Sequence, residues 1–462
     1  MLSTRSIAIH FLALRVDLYW YGALYFYRKS SVGRFFGTMM NMDLLQKKIN
    51  WKIVCVLCVA LVLMLSAVIF FWFLNKPSQL KNISSERKQT KSEQQIISDD
   101  QLKEKIGQMI MVGFRGTKVS EKSDIYNEIK DVKIGGVVLF DYDTPTKSYP
   151  RNIVSPEQTK NLISDLQKYS ETPLFVAIDA EGGAVNRLKK EYGFSIIASA
   201  QKMGQDKTLN TVRAESKKLA AELKTAGFNM NLAPVVDVNV NPKNPIIGAV
   251  ERSFSSNPEE VFNQSKVFIK NHLLDNIITV EKHFPGQGSA TTDSHKTAVD
   301  VTNTYKEDEL IPYKKLNDEG LLDVVMVAHV INKNIDENYP ATMSSAFIQN
   351  ILRKQIRFGG VVMSDDMQMA AITENYSFED AIIKSINAGT DIISFLNNSP
   401  NGYDEKIAYK VRDVIFNAVK DKKIDEKRIE DSYSRIINLK KKFEIIAPAL
   451  NETKLEKTDT LK

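Results

Sequence analysis

From residue 96 onward, short apolar runs alternate with amphipathic segments. Eight of the runs read as strands: Gln108–Phe114, Ile134–Phe140, Leu174–Ile178, Asn229–Ala233, Ile277–Val280, Asp323–Ala328, Gly360–Met363 and Asp391–Phe395. The helical patterns between them have readable starts. Ser155-Pro156-Glu157 and Asn257-Pro258-Glu259 each place a capping side chain before a proline at the first helical position. Eight strand signals separated by helices over roughly 350 residues predict a TIM-type (β/α)8 barrel, with an open doubly wound sheet as the alternative. The polar clusters favour the barrel. Asp179, Lys282-His283, His329 and Ser364-Asp365-Asp366 each fall just after a different strand signal, where a barrel gathers catalytic side chains.

Upstream the pattern changes. The run from Ile53 to Leu74 is uncharged for 22 residues. As a helix it would reach about 33 Å, enough to cross a bilayer core of about 30 Å. Lys47, Lys48 and Lys52 precede it and only Lys76 follows closely, which places the N-terminus in the cytoplasm and the chain after Asn75 outside. With no small-x-small cleavage site and no cysteine at its end, the run reads as an uncleaved anchor. Both cysteines, Cys55 and Cys58, lie within it and read as small apolar residues, not as a redox or zinc motif. The exported part thus relies on a core and not on disulfides. Residues 75–95, rich in Lys, Ser, Gln and Glu, read as a solvated linker. The stretch Ile7 to Tyr27 is interrupted by His10, Arg15 and Asp17, and synthesis is expected to begin near Met42. The predicted organisation is a cytoplasmic segment 1–52, an anchor 53–74, a linker 75–95, a barrel domain 96–445 and a polar tail 446–462.

Charge follows the same division. The chain carries a net +6, but residues 1–94 hold 13 Lys/Arg against 4 Asp/Glu, which leaves the remainder at −3. The basic excess belongs to the membrane-proximal part, and nothing suggests a nucleic-acid surface on the exported domain.

Candidate chemistry concentrates in residues 282–295. A Lys282-His283 pair follows an apolar run, a Pro-Gly-x-Gly turn comes next, and Asp293 stands two residues before His295. In an extended loop, residues i and i+2 project to one side. Asp293 can then accept a hydrogen bond from one ring nitrogen of His295 and leave the other free to move protons. Of the five histidines, His10 and His272 read as incidental, and His329 by itself as a hydrogen-bonded structural residue. Asp365 is presented at the end of a buried strand, where an unpaired charge is costly. That leaves an ion pair, a nucleophile or a base. Asp366, its neighbour, is expected to point elsewhere. Asp179, in Ile-Asp-Ala-Glu-Gly-Gly, is followed by glycines that permit a tight turn or a close ligand approach. Arg187 and Arg252 gain a role only through their company.

Five motifs occur in order: Ile-Asp-Ala-Glu-Gly-Gly-Ala-Val-Asn-Arg, Asn-Leu-Ala-Pro-Val-Val-Asp-Val, Glu-Arg-Ser-Phe-Ser, Lys-His-Phe-Pro-Gly-x-Gly and Ser-Asp-Asp-Met. The series resembles glycoside hydrolase family 3, specifically its bacterial single-domain β-N-acetylglucosaminidase (β-hexosaminidase) branch. The resemblance implies that Asp365 is the nucleophile and Asp293-His295 the acid/base dyad. It also implies that Asp179, Arg187, Arg252, Lys282 and His283 bind the sugar, while His329 matches a motif of less definite role. The family loop usually reads Pro-Gly-His-Gly-Asp-Thr, whereas Gln287, Ser289 and Ala290 stand here. These departures bear on loop conformation or subsite contacts and leave the reaction type alone.

The activity so implied is retaining hydrolysis of terminal GlcNAc, with no cofactor and no metal, and the expected place of the barrel outside the membrane points to peptidoglycan fragments as its substrate. Such a reaction usually employs two carboxyls about 5 Å apart. Here a histidine takes the donor's part, a side chain of ordinary pKa about 6.5 that can give and then accept a proton. A phosphorylase, another family 3 β-glycosidase and a non-catalytic wall-binding barrel are the alternatives. A neutral histidine removes negative charge and would let phosphate replace water.

Overall fold

The computed structural model describes residues 98–446 and the single residue 64. The expected anchor and linker, the segment before them, and all but the first residue of the expected tail therefore lie outside the described residues, Met64 apart. Among the described residues no helix is long and apolar enough to cross a membrane.

Eight strands form at the eight expected places. They are β1 (Ile110–Gly113), β2 (Gly136–Leu139), β3 (Phe175–Ile178), β4 (Met230–Asn231), β5 (Ile278–Phe284), β6 (Val324–Val327), β7 (Val361–Asp366) and β8 (Ile392–Phe395). Each pairs in parallel with the next, and β8 returns to β1 with Ile110 opposite Ile393 and Val112 opposite Phe395. That closing pair excludes the open sheet. β1, β2, β3 and β6 are buried at every position, because a parallel barrel covers one strand face with its interior and the other with helices. The capping signals hold. Ser155 Oγ accepts from the Gln158 N–H at 3.1 Å and Asn257 Oδ1 from the Glu259 N–H at 2.9 Å, each ahead of a proline that opens the helix.

Two strands run further than their apolar cores. β5 was expected to stop at Val280 but continues to Phe284, so Lys282 and His283 are strand residues and do not follow the strand. β7 likewise continues past Met363 to Asp366. In both, pairing slips by one residue. Glu281 faces Val325 and Phe284 faces Val327, while Met363 faces Ile392 and Asp366 faces Ser394. An extra residue of this kind is a β-bulge, and it breaks the strict alternation of side chains. Lys282 with His283, and Asp365 with Asp366, can therefore all reach the same mouth of the barrel.

The opposite end is pinned by Asp391, fully buried just before β8. Its carboxylate accepts from Arg353, Arg428 and Arg435 at 2.8, 3.0 and 3.0 Å, from Ser432 Oγ at 2.9 Å and from the Val362 N–H at 3.0 Å. Three of these donors lie on the C-terminal helix Glu426–Lys442, which is thereby stapled under the barrel. Asp391→Ala would leave three guanidinium groups facing one another without a counter-charge. Removal of one partner from a buried ion network costs about 3–5 kcal/mol. The urea unfolding midpoint should fall accordingly, and an unchanged midpoint would show that the staple does not carry the helix.

Candidate active site

The C-terminal mouth of the barrel encloses a cavity of about 250 Å³. Asp179, Arg187, Arg252, Lys282, His283, His295 and Asp365 all line it, and Asp293 stands behind His295. A larger hollow of about 450 Å³ between the loops after β7 and β8 is lined by Tyr376, Phe378 and Tyr403 and contains none of these residues. The smaller cavity is therefore the candidate.

One wall is an ionic lattice. Lys282 Nζ lies 2.8 Å from Asp179 Oδ1 and 2.7 Å from Glu181 Oε1, with only 3 % of its side chain exposed. Arg252 grips both oxygens of Glu181 at 2.8 Å, a bidentate pair, and donates to the Ile246 carbonyl at 2.8 Å. Arg187 approaches Asp179 Oδ2 at 3.6 Å. Burial alone would raise the Asp179 and Glu181 carboxyls. Lys282 and Arg187 hold Asp179 below its ordinary value, and Arg252 with Lys282 brings Glu181 down to about 2. Burial likewise works against the Lys282 ammonium, yet the two carboxylates keep its pKa above the ordinary lysine value. His283 closes the lattice. Its Nδ1 lies 2.7 Å from Asp237 Oδ2 and its Nε2 lies 3.3 Å from Arg252 Nη2, so it donates to the aspartate and accepts from the arginine.

Opposite stand the two β7 carboxylates. Burial pushes Asp365 up, but facing His329 and His283 and the Asp366 N–H at 2.8 Å hold it below the usual carboxylate range. It is ionised at neutral pH. Asp366 behaves oppositely. Contrary to the expectation that it points elsewhere, it also lines the cavity, because of the β7 bulge. Burial raises its pKa to about 7 although the Leu396 and Gln368 N–H groups donate to it. His329 is buried behind these residues. Burial lowers its pKa, its Nε2–H donates to the Asp366 carbonyl at 3.0 Å, and Nδ1 lies 2.8 Å from Thr342 Oγ1. It braces the β7 end without lining the cavity. His272 is buried against the Phe268 carbonyl and Asn231 and does not line the cavity.

The remaining face is the loop after β5. Asp293 Oδ1 accepts from the His295 N–H at 2.9 Å and from His295 Nδ1 at 2.8 Å. Among the described residues Nε2 has no partner, and the side chain is 65 % exposed. Burial raises the Asp293 carboxyl, but the His295 donors outweigh it and keep it below its ordinary value. The turn leading into this loop needs its glycines. A Cβ on Gly288 would lie 1.7 Å from the Val238 carbonyl oxygen, and Gly286 has φ +131° with Glu309 packed against it.

Glu181, Asp237, Gln287 and Asp366 were not assigned roles from the sequence. Three cations, Arg187, Arg252 and Lys282, set against a single Asp179 already signal missing carboxylates, since buried charges must be matched. Glu181 meets Lys282 and Arg252, and Asp237 meets His283, both from within motifs quoted above. Gln287 has no such signal.

Comparison with known proteins agrees with the geometry. Residues 101–439 match the glycosyl hydrolase family 3 N-terminal domain. A β-hexosaminidase of Photobacterium profundum is 32 % identical over 272 residues, which cover 58 % of this chain and 77 % of that protein. One from Nitrosomonas eutropha is 31 % identical over 305 residues, covering 64 % and 82 %. Among solved structures, a family 3 β-N-acetylglucosaminidase from Paenibacillus sp. superposes with TM-score 0.67 at 30 % identity, over 78 % of this chain and 66 % of that one. With the barrel, the ordered motifs and a family match across nearly the whole of the described domain, this chain belongs to glycosyl hydrolase family 3 and is a glycoside hydrolase.

Proposed function

We propose that the protein is an exo-acting β-N-acetylglucosaminidase that removes terminal GlcNAc from peptidoglycan fragments with retention of configuration. We further propose that residues 53–74 anchor it in the cell membrane with the barrel outside. The observation that carries the enzymatic reading is the convergence of Asp365 and His295 on one cavity walled by the sugar-binding candidates. The names of the similar proteins, β-hexosaminidase and β-N-acetylglucosaminidase, support the choice of sugar.

In this mechanism the ionised Asp365 attacks the anomeric carbon while His295 Nε2 gives its proton to the departing glycosidic oxygen. Asp293 fixes the ring through Nδ1 and stabilises the imidazolium. In the second half, His295 takes a proton from water, and the water oxygen displaces the Asp365 carboxylate from the sugar. Asp179, Arg187, Arg252, Lys282 and His283 offer donors and acceptors to the sugar hydroxyls. Beside His295 the cavity adjoins a second hollow of about 470 Å³, bounded by Thr144, Met369 and Asn398. That is room for a leaving group, and it suits removal of a terminal sugar.

Product analysis on purified muropeptides, in phosphate and in a non-phosphate buffer, tests the reading. Free GlcNAc in both supports hydrolysis, whereas GlcNAc 1-phosphate in the first would select phosphorolysis. Asp365→Ala should remain folded and lose almost all activity, and a fluorosugar label should be found on the Asp365 peptide. Labelling of Asp366 would overturn the assignment. His295→Ala should slow substrates with poor leaving groups by about 10²–10⁴-fold and activated aryl glycosides far less. Asp293→Asn should show the same pattern in milder form. Equal losses on both substrates would make the dyad structural. A linker of about 20 residues has a typical span of about 25 Å, so the barrel should work near the membrane. Protease added to wall-stripped intact cells should abolish activity and spare cytoplasmic markers. Activity released only on lysis would reverse the topology.

A further inference from the structure

The dyad rides on segment 291–297, in which Ser294 is the one buried residue. Among the described residues, two hydrogen bonds tie this segment to the rest of the barrel, and both end on Ser294. Gln287 Nε2 donates to Ser294 Oγ at 3.1 Å, and the Ala371 N–H donates to the Ser294 carbonyl at 3.4 Å. The first joins residues that are 1 % and 2 % exposed, so water does not compete for it. Gln287 is itself immobilised. Its N–H donates to Asp237 Oδ1 at 2.8 Å and its carbonyl accepts from Asn244 at 2.7 Å. The other Asp237 oxygen holds His283 at 2.7 Å on the cavity wall. A continuous chain of contacts thus runs from His283 through Asp237 and Gln287 to Ser294, and ends between Asp293 and His295.

We propose that Gln287 is a positioning residue, whose amide latches Ser294 and thereby sets where the Asp293–His295 pair stands over the leaving-group oxygen. The inference rests on His295 being the proton donor. An exposed segment held at one residue exchanges between a docked and an undocked arrangement, and only the docked fraction can protonate a leaving group. Loss of one buried hydrogen bond shifts such a ratio by roughly tenfold. The length of glutamine matters, since asparagine would fall short of Ser294 by one methylene. Gln287, one of the departures from the usual family loop, therefore takes part in a different anchoring of the same dyad.

The test compares wild type, Gln287→Ala, Ser294→Ala and the double variant on an activated aryl GlcNAc glycoside and on a GlcNAc–GlcNAc disaccharide. Each single variant should lose about tenfold in kcat on the disaccharide and less than about twofold on the aryl glycoside, with KM little changed. The double variant should lose no more than either single one, because both substitutions remove the same bond. Equal losses on the two substrates, or losses that multiply in the double variant, would overturn the latch. Should Gln287→Ala not fold, Ser294→Ala cuts the same bond from the loop side and carries the test alone. His295→Ala is measured alongside. If it lacks leaving-group dependence, the donor assignment fails and the latch with it. If it shows that dependence while the Gln287 and Ser294 variants do not, the latch alone is wrong.

Discussion

A lysine ammonium with 3 % of its side chain exposed survives inside a protein only if carboxylates surround it, and that constraint organises the mouth of this barrel. Lys282 on β5 demands Asp179 and Glu181 from beyond β3, and Glu181 in turn demands Arg252 from the loop after β4. Four charges from three segments are thereby fixed with respect to one another. Removing any one would leave its partners buried and unmatched, the costly case for an interior ion pair. The lattice also presents donors and acceptors that are already ordered. In the proposed function, a sugar entering the cavity meets groups that need no reorganisation, which is how preorganised polar sites outperform water.

The bulges in β5 and β7 complete this arrangement. A regular strand sends adjacent residues to opposite faces. With one extra residue in each strand, Lys282 and His283 reach the same cavity, and so do Asp365 and Asp366. Two adjacent carboxylates in one low-dielectric site cannot ionise alike. Asp365, beside the imidazoles, is held as the anion, while burial raises Asp366 to about 7. Their environments divide the pair into a charged member and a member that titrates near neutrality.

In the proposed mechanism the two halves of the chemistry also differ in rigidity. Asp365 is built into a barrel strand, as a group that must meet one carbon atom at one angle requires. His295 sits on an exposed loop, where it exchanges protons with leaving group and water in turn. Such freedom is useful only if it is limited, and the pairing of Ser294 with Gln287 is the limit the fold supplies.

Much of this was legible in the chain alone. Barrel strands are short, apolar on both faces and regularly spaced by helices, so all eight show as local signals, and the two capped prolines mark helix starts for equally local reasons. The Asp293–His295 pair was legible because two residues in an extended loop share a side whatever surrounds them. The strand ends were not. By hydrophobicity the runs of β5 and β7 finish at Val280 and Met363, and only pairing with β6 and β8 carries them on to Phe284 and Asp366. Register is a property of two strands, and so is a bulge. Glu181 and Asp237 were hidden for a related reason. Each takes its role from a cation or imidazole more than forty residues away in the chain, Arg252 or Lys282 for the one and His283 for the other. Gln287 stood out only as a departure from the usual family loop and carried no sign of its partner, since an amide is ordinary in a turn. Its importance arises when folding buries it beside Ser294, the one point at which the dyad loop loses contact with water. Sequence determined the elements and the chemistry on offer, because both depend on neighbours in the chain. Tertiary structure decided which charges meet and which stay ionised, because burial and pairing depend on neighbours in space.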